Sequence, residues 1–165
     1  MIAVERQGPV RAFPIEDEKV STMKPLVEKL IAKATHLMTD GHRSYQQIGR
    51  EYVAHSQVIH SKGEYSRGMI HCNTAESFAS LFERGRVGVF HCMSRDHMQR
   101  YLNEFAFRWD NREPTLQKTR KGEVKEVMRP IPIVEMLRNL ILRCQGSQLK
   151  RTKHWGIVDL TFASP

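Results

Sequence analysis

The spacing of apolar residues changes period several times along this chain, and each change predicts an element. Ile2-Ala3-Val4-Glu5-Arg6 and Val10-Arg11-Ala12-Phe13-Pro14-Ile15 are short β-favouring runs separated by Gln7-Gly8-Pro9, the chemistry of a hairpin turn. From Ser21 or Thr22 the period becomes helical. Met23, Leu26, Val27, Leu30 and Ile31 recur at i, i+3, i+4, i+7 and i+8, with Pro25 expected in the first turn, where its missing amide costs nothing. His36-Leu37-Met38-Thr39-Asp40 predicts a strand ending in an acid, a brief helix through Tyr45 and Ile48 follows, and Tyr52 to His60 predicts another strand.

After the glycines at 63 and 68, Ala75, Phe78, Ala79 and Phe82 mark one face of a helix starting near Asn73. Met98, Tyr101, Leu102, Phe105 and Trp109 mark the next, with Ser94 as its expected N-cap. The stretch from Asn111 to Arg129 is polar and basic, which predicts a mobile linker. Beyond Pro130 and Pro132, the residues Ile133, Met136, Leu137, Leu140 and Ile141 predict a last amphipathic helix that Gly146 can end. Strands alternating with helices imply an α/β sandwich with a mixed sheet. The expected boundaries are a domain at 1–112, a linker at 113–132, a helix with a basic end at 133–153, and a tail at 154–165 of unassigned structure.

Charge changes this picture by its distribution. The chain has 165 residues and a formal charge of +8, and residues 112–153 hold 11 basic side chains against 4 acidic ones, +7 of the total. Such a stretch suits a phosphate backbone, because lysine and arginine gain affinity by releasing condensed counterions; it equally suits a solvated face. No apolar run is long enough to cross a bilayer and no signal-peptide layout opens the chain, so a cytoplasmic protein is expected. Cys72, Cys92 and Cys144 form no Cys-x-x-Cys pair, and they read as small apolar residues.

Two acids carry the candidate chemistry. Asp40 stands at the C-terminal end of a predicted strand, where α/β sheets present functional groups; taken alone, Asp40-Gly41 reads first as a turn between strand and helix. Glu76 lies in His71-Cys72-Asn73-Thr74-Ala75-Glu76, and Asn73 with Glu76 also has the spacing of a capping box. A strand-end carboxylate and a helix-borne carboxylate delivered to one sheet edge can share Mg²⁺ ions, which activate an attacking oxygen and stabilise a leaving oxygen in phosphodiester chemistry. Histidines 60, 71, 91 and 97 are weaker candidates, better explained by packing.

The runs Val4-Glu5-Arg6, Val10-Arg11-Ala12-Phe13, Met38-Thr39-Asp40, His60-Ser61-Lys62-Gly63-Glu64-Tyr65 and His71 through Phe78 together resemble the ISXO-like insertion-sequence transposases. Gly88-Val89-Phe90-His91, Ser94, His97, Arg100-Tyr101-Leu102, Glu104-Phe105 and Phe107-Arg108 extend the resemblance to about Arg112. It implies a ribonuclease-H-like mixed sheet flanked by helices, and a DDE-type acidic triad that uses Mg²⁺ or Mn²⁺ to cut and join DNA. Asp40 takes the place of the second acid, and Glu76, or alternatively Asn73, that of the third. The resemblance places the leading aspartate on a strand preceding Val4-Glu5-Arg6, so this chain is expected to lack its first strand, as a truncated or mis-started transposase. Without that strand, either the hairpin pairs with the Asp40 strand or another chain fills the gap. Where the family has a basic residue beyond the third acid, this chain has Glu83-Arg84-Gly85, which weakens the local hold on DNA.

Arg84, Arg86, Arg100, Arg108, Lys118, Arg120 and Lys121 are the expected DNA contacts. The expected partners are insertion-sequence ends, target DNA, and another copy or a full-length transposase as oligomer. The expected activity is DNA strand transfer, absent from this chain alone; the alternative is a non-enzymatic DNA-binding or transposase-interfering protein.

Overall fold

Among the described residues, three two-stranded ladders stand where a single mixed sheet was expected. They are seen in a computed structural model, which describes residues 1–6, 8–59, 66–120 and 122–144. The chain divides into two units, Met1–Asp110 and Asn111–Pro165.

In the first unit, β1 (Ile2–Val4) pairs antiparallel with β2 (Val10–Ala12), Ile2 opposite Ala12. Helix α1 (Val20–Leu30) follows, with Pro25 in its second turn, one turn later than expected. Strand β3 (His36–Asp40) pairs parallel with β4 (Ala54–Val58), and between them run the short helix α2 (Arg43–Ile48) and a 3₁₀ turn, Gly49–Glu51. Helices α3 (Asn73–Gly85) and α4 (Met98–Asp110) complete the unit, joined through a π-helical turn, Arg86–Phe90, and a 3₁₀ turn, Arg95–His97. Ser94 holds the expected cap position, but its side chain makes no capping bond.

Apolar periodicity builds two cores. One gathers Met23 and Val27 of α1, Leu37 of β3, Ile48 of α2 and Tyr52. The other gathers Val10 and Ala12 of β2, Phe78 of α3 and Leu102 of α4, with the Trp109 ring edge-on to Phe78 at 5.5 Å. Gly85 and Gly49 each permit a close approach of an aromatic or imidazole ring. A Cβ on Gly85 would fall 2.2 Å from the Phe105 ring, and one on Gly49 would fall 2.0 Å from the His55 ring.

The two edges of the β1–β2 hairpin differ. Met1 exchanges bonds with Phe13 in both directions, at 2.7 and 2.9 Å, so Ala3 and Arg11 form the next bonded pair, and Val10 and Ala12 aim their amides and carbonyls outward. Side chains of α4 close that outer edge: Asp110 Oδ1 accepts the Val10 amide at 2.9 Å, and Gln99 Nε2 donates to the Ala12 carbonyl at 2.9 Å. By the same alternation Ile2 and Val4 aim theirs away from β2. Among the described residues no ladder joins this hairpin to β3 or β4, so direct pairing with the Asp40 strand does not occur.

In the second unit the expected linker is instead a hairpin, β5 (Arg112–Lys118) with β6 (Val124–Pro130), Leu116 opposite Glu126. Thr119 donates to the Glu123 carbonyl at 2.7 Å and Gly122 donates to that of Thr119 at 2.9 Å, with Gly122 left-handed at φ +86°. Composition misled here because nearly every residue of both strands is exposed, so their polarity reads as a linker's. Helix α5 (Ile133–Cys144) follows. The expected stop at Gly146 and the tail at 154–165 lie outside the described residues. Among the described residues no helix is long and apolar enough to cross a membrane.

Candidate functional site

Asp40 ends β3, held there by the parallel register that sets it opposite the fully buried Val58. Its Oδ1 accepts the His42 amide at 3.1 Å, so the turn and the strand-end carboxylate are the same feature. The preceding Thr39 is buried and satisfied locally, its hydroxyl 2.9 Å from His55 Nε2 and donating to the Asp40 carbonyl at 3.0 Å. Behind the turn, burial pushes the Tyr45 phenol up to about 12, with the charges of Asp40 and Glu18 adding to the effect. Glu18 also pairs with His42 Nε2 at 3.1 Å.

Helix α3 presents the second acid. The capping box expected of Asn73 and Glu76 is not formed: the helix starts at Asn73, Cys72 holds the cap position, and the Cys72 carbonyl accepts the Glu76 amide at 3.1 Å. The first helical bond thus begins one residue earlier than the capping motif requires. Asn73, Glu76, Ser77, Ser80 and Arg84 fall on one exposed stripe and line an open groove of about 440 Å³. At about 1.5 Å of rise per residue, Glu76 and Arg84 are separated by about 12 Å along the axis.

Cys72 connects the two acids. Burial pushes its thiol up to about 11, and the charges of Asp40 and then Glu76 push the same way. The charges of the strand-end and helix-borne carboxylates therefore both act on one half-buried thiol. At neutral pH that thiol is protonated, which removes it as a nucleophile. Among the described residues no group of three or more His, Cys, Asp or Glu side chains could hold a metal ion. One or two carboxylates completed by water and substrate phosphates is, however, an ordinary donor set for Mg²⁺, and Asp40 with Glu76 fits it.

The basic candidates are scattered. Arg84 shares the groove with Glu76. Arg86 Nε donates to Glu83 at 2.8 Å, and the two side chains depress the Glu83 carboxyl and raise the Arg86 guanidinium. Arg108 pairs with Glu104 at 2.7 Å, while Arg100 is exposed on α4. Lys118 and Arg120 are exposed in the second unit; Lys121 and His60 lie outside the described residues. His91 is left-handed at φ +55°, and His71 Nδ1 is buried without a partner.

Sequence reasoning missed Cys72 and Arg6. Cys72 could have been found as the residue one turn before Glu76. Arg6 donates to the Met69 carbonyl at 2.6 Å and lies 3.1 Å from Met38 Sδ, a contact between segments far apart in the chain that no local pattern announces.

A mixed α/β unit with small sheets, carrying an acidic pair beside an arginine-bearing polar groove, is the class defined so far. Residues 1–110 match the ISXO2-like transposase domain, and the chain belongs to that family. It is 28 % identical over 109 residues to an uncharacterized protein in transposable element ISH50 of Halobacterium salinarum, a match covering 66 % of this chain and 37 % of that protein. The chain thus spans little more than a third of that relative's length. No solved structure matches.

Proposed function

We propose that residues 1–110 carry two acidic members of a DDE-type DNA strand-transfer site, Asp40 and Glu76, with Asn73 beside them, on an incomplete ribonuclease-H-like scaffold. The observation that carries this reading is the placement of Asp40 at the end of β3 and of Glu76 in the polar groove of α3, with both charges acting on Cys72. A divalent cation, Mg²⁺ or Mn²⁺, would be held by Asp40 and Glu76, and when bound it supplies activation of the attacking oxygen and neutralisation of the leaving one. Arg84, on the same stripe as Glu76, would hold the DNA backbone. Ile2 and Val4 aim their amides and carbonyls away from β2, on the side where a further strand of such a scaffold would pair.

Two measurements test the reading. Mg²⁺ added to the chain should screen the carboxylates and raise the alkylation rate of Cys72, an effect absent from Asp40→Asn; an unchanged rate overturns the metal site. Strand transfer on DNA carrying element ends should give no joined product from this chain alone. Joined product that disappears in Asp40→Ala would overturn the incompleteness.

A non-enzymatic DNA-binding role is the second reading, favoured by the exposed Lys118 and Arg120 near the tip of the β5–β6 hairpin. It predicts salt-sensitive binding that survives Asp40→Asn and weakens in a Lys118→Glu, Arg120→Glu variant.

A further inference from the structure

Two polar side chains occupy the core-facing side of the β3–β4 ladder, where burial favours apolar ones. Leu37 and Thr39 of β3 share this face with His55 of β4, since Leu37 stands opposite His55 and side chains alternate along each strand. Leu37 lies in the core beneath α1 and α2, and Thr39 is buried beside it. A buried hydroxyl costs stability unless it is bonded, and this one is bonded on both sides. Thr39 Oγ1 donates to the Asp40 carbonyl at 3.0 Å, which leaves a lone pair for His55 Nε2, 2.9 Å away. These directions require the imidazole tautomer with its proton on Nε2. The other ring nitrogen faces Gly49, where a Cβ would fall 2.0 Å from Nδ1. Burial, and then the neighbouring His36, lower the pKa of His55 and keep the ring neutral at neutral pH.

The opposite face of the ladder offers a contrast. There His36 Nε2 lies 2.8 Å from Ser56 Oγ, an exposed imidazole–hydroxyl contact that continues to no further described group. The buried pair continues to Asp40, which is gripped at two points. Its carbonyl receives the Thr39 hydroxyl and its Oδ1 the His42 amide at 3.1 Å, while Oδ2 makes no bond to any described residue. We propose that Thr39 and His55 are positioning residues for Asp40: the relay from His55 through Thr39 fixes the peptide that ends β3, and with it the direction in which the carboxylate leaves the strand. The proposal rests on the reading of Asp40 and Glu76 as a cation-holding pair. Hydrogen bonds behind a ligand raise its affinity because they remove freedom that binding would otherwise have to freeze. Valine at position 39 has the shape of threonine without the hydroxyl, so it cuts the relay where it touches Asp40.

Two measurements on the full chain test this. Long-range proton-nitrogen spectra of isotope-labelled histidines at neutral pH should show the His55 proton on Nε2, with the signal assigned by its loss in His55→Gln. A proton on Nδ1 would make Nε2 the acceptor of the Thr39 hydroxyl, and overturns the relay. This is read in the wild-type chain, so it decides the matter even where a variant fails to fold. The second measurement titrates Mg²⁺ against the alkylation rate of Cys72. In Thr39→Val the Mg²⁺ midpoint should rise about tenfold, and in Thr39→Ser it should stay within about twofold of wild type. Restoration by serine separates positioning from packing, because serine supplies the hydroxyl without the methyl. A midpoint that valine leaves unchanged, or that serine raises as far as valine does, overturns the proposal while the metal reading stands. A wild-type chain whose Cys72 ignores Mg²⁺ overturns the metal reading, and the proposal falls with it whichever tautomer is found.

Discussion

The two cores of the first unit are assembled in opposite ways. Around Ile48, the buried residues are near in sequence: Ser44 Oγ donates to the Glu18 carbonyl at 2.5 Å, and the Tyr52 hydroxyl donates to that of Ile31 at 3.2 Å, with Met1 the distant residue packed against them. Around Phe78, residues 1–13 meet helices that arrive much later, and the clasps between them, Gln99 to Ala12 and Asp110 to Val10, close spans of 87 and 100 residues. Asp40 is delivered by the local half and Glu76 by the non-local one. Short-range folding therefore sets the first carboxylate, whereas the second depends on contacts that pay a large loop-closure entropy before they form. No ladder ties the halves together among the described residues, and the Arg6 guanidinium is a polar contact that crosses between them.

The largest effect on this contrast is expected from Phe78→Ala. The side chain is fully buried, and its loss should cost about 3–5 kcal/mol. Hydrogen exchange should then accelerate across the hairpin, α3 and α4 while β3 and β4 keep their protection; equal acceleration in both would show the halves to be one cooperative unit. Gly85→Ala comes next. Its Cβ must displace the Phe105 ring from the α3–α4 contact, for about 1–3 kcal/mol by urea denaturation, again confined to the non-local half. Ile48→Val should be smaller, about 0.5–1.5 kcal/mol, with protection lost first from β3 and β4.

The smallest effect is electrostatic and reports on how the halves meet. The Cys72 thiol lies above its ordinary value of 9.0, at about 11, so its alkylation should rise with pH through a midpoint near 11. Its folded value exceeds its unfolded one, so the stability it contributes is complete below about 9 and is lost as pH climbs through 11. Asp40→Asn and Glu76→Gln should each lower the midpoint while leaving it above 9.0, since burial is the larger cause. If only one of them moves it, the two halves do not bring both acids to the thiol.

Elements with a strong one-sided stripe were legible from sequence. Helices α3 and α4 and the Asp40 strand fall where their periodicity puts them, because burial on one face writes itself into the residue order; α5 keeps an apolar stripe although none of its described residues is buried. The β5–β6 hairpin was not legible, since strands with little burial leave scarcely a stripe to read. Helix α3 starts at Asn73 as expected, but Cys72 and not Asn73 holds the cap position, so the capping signal at Asn73 goes unused. Asp40 and Glu76 could each be singled out by position, but their joint effect on Cys72 depends on the non-local half, which no spacing encodes. The separation of one expected sheet into ladders was visible only as a question of which edges find partners.

The β5–β6 hairpin carries one proline on each strand, Pro114 and Pro130. Ile131 donates to the Asn111 carbonyl at 3.1 Å and Thr119 to that of Glu123, so the odd-numbered residues of β5 hold the inward bonds. Pro114 and Pro130 then occupy places whose amides would point outward, and each outer edge lacks a donor. An exposed hairpin bearing Leu116, Val124 and Met128 would otherwise be a template for stacking chain upon chain. Blunted edges of this kind oppose growth into open-ended β-aggregates, and replacing either proline with valine should speed precipitation of the chain on storage, measured by light scattering.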